Sequence, residues 1–336
     1  MSAATPDLVT KTATRGRLER SGSSWRSADS LFAAFVTAAG SLVLVLIAGM
    51  VVFVLAQAMP SLSHYGFFTS LTSTRWAPSE ASLNLSTPNP YGIVQFIYGT
   101  LLTSAIAMLI AVPASVAIAL FITEVAPERL KRPLSSLVDL LAAVPSVVYG
   151  FWGVFALIPA IRPGIVAIAG PVSHVPVLST VFGGSFFGFS YLTASLVLAI
   201  MVLPIVTAVC REVFVTAPIT DKEAAYALGA TRWEMIRIAV LPRSRAGIAG
   251  AAILGLGRAL GETIAVTMVI GNSVLAINTS ILAQGATMAS VIANEFTEAT
   301  EPLHIESLFV VAFFLLVIAV IVNAGARLIV KRNVAL

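Results

Sequence analysis

The stretch TDKEAAYALGATRWEMIRIAVLP, residues 220–242, decides the organisation of this chain because it is a polar connector between two long apolar segments. Thr220 and Glu223 have the spacing of a capping box and predict that a helix begins there. Gly229 follows and can adopt the left-handed conformation that ends helices. The first half of the connector is therefore predicted to be one short helix.

The second half of the connector repeats this pattern. Thr231 and Glu234 form another capping-box spacing. Pro242 is predicted to stop the second helix, because a proline inside a helix removes a backbone hydrogen bond. Two capped helices joined by a glycine predict a compact hairpin over 218–242.

Small and bulky side chains alternate on this predicted hairpin, which favours a docking surface for another protein. Ala224, Ala225 and Ala227 allow close approach, and Trp233 and Met235 can fill a socket. The alternative is an ordinary connector that lies on lipid headgroups.

The composition of the chain indicates a bilayer protein. Of its 336 residues, 58% are hydrophobic and 11% are charged, whereas soluble domains carry about 25% charged residues. Backbone groups in lipid must be satisfied within the segment, so the predicted class is an all-α polytopic membrane protein. Six segments reach the roughly 20 apolar residues that a span needs: 31–59, 93–123, 134–161, 188–210, 247–275 and 303–330.

The basic residues that produce the formal charge of +4 predict a topology rather than nucleic-acid binding. They cluster before the first segment, after every second one and at the C-terminus, whereas only Arg75 and Arg162 lie on the other side. By the positive-inside rule both termini are cytoplasmic. Residues 1–30 are predicted to be a disordered basic tail. The apolar run after it is about twice as long as a signal-peptide core, so it is predicted to remain as a span.

The connectors on the opposite side are predicted to be external and irregular. Proline and glycine interrupt 60–92 and 162–187. The first is predicted to contain a short helix, and the second is predicted to be too broken to span and to form an outer-surface or re-entrant excursion. Residues 276–302 are polar to acidic. Cys210 is the only cysteine, and His64, His174 and His304 lie apart in the sequence, so no metal site, cofactor or catalytic group is predicted.

A charged pair inside the fifth apolar segment is the strongest candidate for a transport site. Arg258 and Glu262 stand four apart and are predicted to share one helix face. A charge at mid-membrane costs about 2.5–3.5 kcal/mol, so such residues face the bundle interior or a wet cavity. Arginine suits an oxyanion because its planar fork donates two parallel hydrogen bonds. The alternative is a structural ion pair between helices.

The hairpin resembles the EAA loop of ABC importer permeases, whose pattern is Glu-Ala-Ala, three residues, Gly, nine residues, Ile, one residue, Leu-Pro. The Glu-Ala-Ala, Gly and Leu-Pro positions match here. The chain departs from the pattern at Ala239, where the family has Ile, and Ile238 lies next to it. In that family the loop is the coupling helix that sits in a groove of the nucleotide-binding subunit. The residues that the resemblance assigns to ATPase coupling are Glu223, Ala224, Ala225, Gly229, Trp233, Leu241 and Pro242.

The stretch Gly255–Thr263 is similar to a signature of the phosphate-specific permeases called PstC, and shorter stretches between 98 and 150 and at 294–296 also resemble that family. The resemblance implies a MetI-like fold and phosphate as substrate, with Arg258 and Glu262 important for its passage. It also implies a bacterial cell (inner) membrane, a second permease related to PstA in a heterodimer, two nucleotide-binding ATPase subunits and an extracytoplasmic phosphate-binding protein.

Four hydroxyl side chains are secondary candidates for the substrate pathway, because hydroxyls can donate to a phosphate oxygen. In spanning helices they more often bond their own backbone or the next helix. These candidates are Thr103, Ser104, Ser146 and Tyr149.

Two alternatives to a phosphate importer stay open at this point. One is an ABC permease for sulfate, molybdate or another oxyanion, which would have a similar hairpin. The other is an ion-coupled secondary transporter with Glu262 as a proton relay, although inverted repeats and broken helix pairs are not evident. Nothing in the sequence matches the P-loop pattern Gly-x-x-x-x-Gly-Lys-Ser/Thr, so the chain is predicted to be a non-catalytic subunit.

Overall fold

The computed structural model describes most of the chain as helix. Within the described part, extended pairing is confined to two isolated bridges, Trp76 with Tyr91 and Gly271 with Gly285. His174 and most of the predicted tail lie outside the described residues. The structure describes residues 22–77, 90–172, 176–274 and 277–334.

Six helical stretches of the described residues are long and apolar enough to cross a membrane. This confirms the prediction of an all-α, six-span membrane protein. A helix suits a membrane span because it satisfies its backbone hydrogen bonds within the segment. The stretches are Asp29–Tyr65, Val94–Val125, Ser146–Gly170, Tyr191–Val215, Arg232–Leu260 and Pro302–Leu328.

The chain divides into two compact units, Met1–Phe53 and Val54–Leu336. The described part of the first unit belongs to helix α1 (Gly22–Tyr65). Its large side chains, among them Leu31 and Phe35, are exposed. Exposed apolar side chains of this kind are compatible with lipid, which is as apolar as leucine itself.

The core of the second unit is built around helix α8 (Tyr191–Val215), which packs on α3 (Val94–Leu120) and α11 (Leu241–Leu260). Small residues let these helices approach closely, as is typical of membrane bundles. At Gly255 a Cβ atom would lie 2.7 Å from Val206 Cγ2 of α8. This glycine therefore sets the distance between α11 and α8.

The third span lies further along the chain than the predicted 134–161. Helix α4 (Glu128–Ala143) ends before Pro145, and a new helix, α5 (Ser146–Trp152), begins after it. The physical reason is that the residue before a proline is pushed into extended conformation, and Val144 has a ψ of 128°.

Beyond α5 the helical path continues further than expected. A π turn, π2 (Gly153–Leu157), leads into α6 (Ile158–Val172), and α7 (Pro176–Phe182) follows. The first part of the segment 162–187, which was predicted not to span, therefore belongs to the third candidate span. Helix α6 contains Pro163 and Gly164 and does not end at either of them.

The remaining elements belong to the connectors and the last span. The short α2 (Phe67–Thr72) follows α1, and the π turn π1 (Phe121–Val125) ends α3. Helix α13 (Met288–Glu295) precedes the last long helix, α14 (Pro302–Val334).

The hairpin forms with two differences from the prediction. Its first helix, α9 (Ile219–Ala227), begins after Pro218, so Thr220 is not the N-cap. Its second helix, α10 (Arg232–Met235), does not stop at Pro242 but continues through the π turn π3 (Ile236–Val240) into α11. Pro242 then lies at the start of α11, directly after π3, and the helical path continues past it.

Two other features of the hairpin are confirmed. Gly229 has a φ of +83°, the left-handed region that favours glycine. The second capping box is complete: the Thr231 hydroxyl accepts from the Glu234 N–H, and Glu234 Oε2 accepts from the Thr231 N–H at 2.8 Å. The connector is therefore stabilised by its own local hydrogen bonds.

Candidate functional site

The charged pair lies at a break between two helices rather than on one helix face. Helix α11 ends at Leu260, Gly261 caps it, and α12 (Ile264–Ile270) begins two residues after Glu262. Arg258 therefore lies in the last turn of α11, while Glu262 belongs to the connection. The expectation of a shared helix face is corrected here. Glycine has low helix propensity and favours such an interruption.

Glu262 has a structural contact of its own. Its side chain is 8% exposed, and its Oε1 accepts from the Ala265 N–H at 3.4 Å. Ala265 lies in the first turn of α12, whose N–H groups have no partner within the helix. The carboxylate therefore helps to cap α12.

Contact between the two charges is loose. Arg258 Nη2 lies 4.0 Å from Glu262 Oε2, which is the limit for an ion pair and too long for a hydrogen bond. The Arg258 side chain keeps 39% of its surface exposed. Its guanidinium donors therefore remain available to another acceptor.

Arg258 faces a cleft of about 1000 Å³ between α8, α11 and α14, which we call the Arg258 cleft. Most of its lining is aliphatic, and three side chains bring nitrogen donors to it: Arg258, Asn323 and Arg327. The other lining residues are Ile205, Gly250, Ile253, Leu254, Gly257, Leu316, Ala319, Val320 and Ala324.

Asn323 and Arg327 were not predicted as site residues. They stand four apart on α14 and so share one face of it. A Cβ atom at Gly257 would lie 3.8 Å from Asn323 Nδ2, so the Asn323 amide lies beside α11. The sequence feature that could have identified them is a pair of polar residues, four apart, in an otherwise apolar span. Arg327 was interpreted only as a topology charge.

The chemistry of the cleft favours an anion. Placing an arginine in lipid at the centre of a span costs about 2.5–3.5 kcal/mol, so this surface is expected to face water or protein. Arg258 and Arg327 each bring a guanidinium to the cleft, and the Glu262 carboxyl group lies 4.0 Å from the guanidinium of Arg258. The planar guanidinium can donate two parallel hydrogen bonds to an oxyanion.

The hydroxyl candidates lie outside the lining of this cleft. The Thr103 hydroxyl donates to the Gly99 carbonyl at 2.8 Å, and the Tyr149 hydroxyl donates to the Leu141 carbonyl at 2.8 Å. Ser104 is buried, and its hydroxyl has no hydrogen-bond partner within the described residues. Ser146 is partly buried at the start of α5. The hydroxyl groups of Thr103 and Tyr149 therefore already donate to backbone carbonyls.

The hairpin exposes part of the predicted coupling set and buries the rest. Trp233 is 63% exposed. Other members on the surface are Glu223, Ala224, Gly229 and Pro242, while Leu241 is partly buried.

Within the hairpin, Ala225 and Met235 are buried in the same core cluster. Met235, predicted to enter a socket on a partner, instead packs inside the chain. Ala239, at the position where the loop pattern has isoleucine, is also buried in that cluster.

Comparison with solved structures supports the fold. A chain of the MetNI methionine ABC transporter, in an inward-facing conformation, superposes with a TM-score of 0.53 at 16% identity. The alignment covers 74% of this chain and 99% of that one. The predicted MetI-like permease fold is thereby confirmed.

Sequence comparison identifies the family. The family described as "Binding-protein-dependent transport system inner membrane component" matches residues 111–334. A "Phosphate transport system permease protein PstC" of Mesorhizobium japonicum is 43% identical, with 90% of each chain covered. The protein of that name in Xylella fastidiosa is 43% identical, with 91% of each chain covered. This chain therefore belongs to the family of inner membrane components of binding-protein-dependent transport systems.

Proposed function

We propose that this chain is the permease subunit of an ATP-driven importer that carries inorganic phosphate into the cytoplasm. Relatives covering nine-tenths of the chain bear the name of a phosphate transport permease. The observation that carries the proposal is the Arg258 guanidinium, exposed in a membrane-span cleft and 4.0 Å from its nearest carboxylate.

The proposed path for the anion is the Arg258 cleft. Arg258 binds phosphate by paired hydrogen bonds, and Glu262 limits how tightly it is held because its charge offsets part of the arginine's. Asn323 and Arg327 line the same cleft and provide further donors; one Asn323 amide proton already binds the Ala319 carbonyl at 2.8 Å, which leaves the second for the anion. Ser104 and Ser146 remain weaker candidates, and Thr103 and Tyr149 weaker still because their protons already bind backbone.

Other subunits complete the proposed importer. A second, PstA-like permease forms a heterodimer with this chain, two nucleotide-binding subunits hydrolyse ATP, and an extracytoplasmic protein delivers phosphate. The hairpin 218–242 docks on an ATPase subunit, which is supported by the exposure of Trp233 and Leu228 at its surface. Both termini and the hairpin are then cytoplasmic in a bacterial inner membrane, in agreement with the basic loops.

Alternating access is the proposed mechanism. ATP binding closes the ATPase dimer and moves the hairpins, and the spans then open toward the binding protein. Phosphate enters near Arg258 and leaves inward after hydrolysis. Since α10, π3 and α11 form one continuous helical path from the hairpin to Leu260, movement at the hairpin is transmitted directly to Arg258.

Uptake of radiolabelled phosphate by the assembled complex in ATP-loaded proteoliposomes tests the proposal. Arg258→Gln is expected to abolish uptake, and Arg258→Lys is expected to reduce it, because lysine keeps the charge but loses the planar fork. Arg162→Gln is the matched control, since Arg162 is an exposed arginine in α6 outside the cleft.

The outcomes separate the alternatives. Uptake that requires ATP, resists excess sulfate and molybdate and is lost in Arg258→Gln supports both the substrate and the path. Uptake of sulfate or molybdate instead would contradict the substrate. Normal uptake in Arg258→Gln would show that the path lies elsewhere.

A further inference from the structure

A partly buried ion pair joins the hairpin to the second span. Lys222 Nζ, on α9, lies 2.6 Å from Glu124 Oε1, in π1 at the end of α3. The Glu124 side chain is 8% exposed and that of Lys222 is 20% exposed. Buried charges are retained where they are paired, so these two side chains hold each other in place.

A second contact joins the same two elements. Arg232 Nη1, at the start of α10, donates to the Val125 carbonyl at 3.4 Å. Both helices of the hairpin therefore contact the last turn of the second span. These contacts reach a helix to which the hairpin is not directly connected along the chain.

Glu124 is in an unfavourable place for a carboxylate. The C-terminal end of a helix carries partial negative charge, which favours cations and disfavours Asp and Glu. Lys222 offsets that repulsion, and Arg232 supplies a donor to one of the terminal carbonyls. The position of Glu124 is therefore explained by its partner on the hairpin rather than by the helix that carries it.

The chain connection alone transmits hairpin movement only to α8 and α11, the fourth and fifth spans. Helix α3 packs on both of these and forms much of the core beside them. If α3 did not follow the hairpin, this packing would resist the rearrangement of α8 and α11. A contact between the hairpin and the end of α3 allows the three helices to move together.

We propose that the Glu124–Lys222 pair couples the second span to the hairpin, so that movement of a docked ATPase reaches α3 as well as α8 and α11. This inference rests on the proposed function, in which the hairpin docks on an ATPase subunit. Glu124 acts as a positioning residue and has no contact with substrate.

The test measures phosphate imported per ATP hydrolysed by the complete complex in proteoliposomes. Glu124→Gln and Lys222→Glu are expected to lower this ratio about tenfold, within the range typical of energetic coupling between sites, while ATP hydrolysis continues. The double variant Glu124→Lys with Lys222→Glu restores the pair in reverse and is expected to recover most of the ratio.

Lys131→Gln is the matched control. Lys131 Nζ lies 2.6 Å from Glu128 Oε1, the same separation, just after π1, but Glu128 is 85% exposed and this pair lies within α4 alone. The ratio of phosphate to ATP is expected to stay at the wild-type value in this variant.

Two results would overturn the inference: a wild-type ratio in Glu124→Gln, or a reversed pair that assembles and still fails to recover the ratio. Failure of the proposed function is distinguishable, because the wild-type complex would then show no ATP-dependent phosphate uptake. The reversed pair also covers the case in which Glu124→Gln does not assemble, since it leaves no buried charge unpaired.

Discussion

Two glycines of α11 are predicted to respond oppositely to the same substitution. At Gly255 a new Cβ would lie 2.7 Å from Val206 Cγ2 and 2.9 Å from Val202 Cγ1, closer than real side-chain contacts allow. At Gly257, two residues along, it would lie 3.8 Å from Asn323 Nδ2, an ordinary contact. The contrast tests whether α11 packs on α8 as described.

The expected magnitudes follow from two opposing effects. Replacing glycine by alanine within a helix stabilises it by up to about 1 kcal/mol. Overpacking a filled interface costs about 1–3 kcal/mol. Gly257→Ala is therefore expected to stabilise the protein by up to about 1 kcal/mol, and Gly255→Ala to destabilise it by up to about 2 kcal/mol.

The thermal unfolding midpoint of the detergent-solubilised protein measures this difference. With an unfolding entropy of about 2.1 cal/mol/K per residue, 1 kcal/mol corresponds to about 1–2 °C for a chain of 336 residues. Gly255→Ala is expected to unfold several degrees below Gly257→Ala. Equal midpoints for the two variants, or the reverse order, would refute the close packing of α11 on the valines of α8.

The remaining predictions concern the hairpin and the contact between Trp76 and Glu295. Trp233→Ala is expected to weaken binding of the purified ATPase subunit and to leave the thermal unfolding midpoint unchanged, because Trp233 is exposed. Met235 is buried in the core, so Met235→Ala is expected to cost about 2–5 kcal/mol of stability. Similar unfolding midpoints for the two variants would contradict this assignment. Glu295→Ala leaves the Trp76 Nε1 donor, now 2.7 Å from a carboxylate oxygen, without that acceptor. Glu295→Ala is expected to lower the free energy of unfolding by about 1–3 kcal/mol. Glu298 is exposed, so Glu298→Ala is the control and is expected to cause no measurable loss. Equal unfolding midpoints for the two variants would show that the contact is unimportant.

Predictions from local patterns held where neighbours in sequence decide the structure. The Thr231–Glu234 capping box and the left-handed Gly229 are contacts and conformations within a few residues, so their spacing is sufficient evidence. The Thr220 cap was wrong because Pro218, with its φ near that of a helix, allowed α9 to begin earlier.

Predictions of where a span begins and ends were less accurate, and the reason is physical. Composition indicates that an apolar segment crosses the membrane, but it does not show where the helix within it breaks. Pro145 separates α4 from α5, and Gly261 separates α11 from α12. At each break the freed backbone groups need partners, and whether partners exist depends on surrounding helices and side chains such as Glu262.

The sequence by itself determined the class of the protein, the number of its spans, its hairpin and its family resemblance, because each depends on composition or on short motifs. Only the tertiary structure brought Asn323 and Arg327 to the same cleft as Arg258, and Lys222 to Glu124, 98 residues away. These contacts depend on how closely and in which register the helices pack. That packing is set by many side chains at once, Gly255 among them, and no local pattern encodes it.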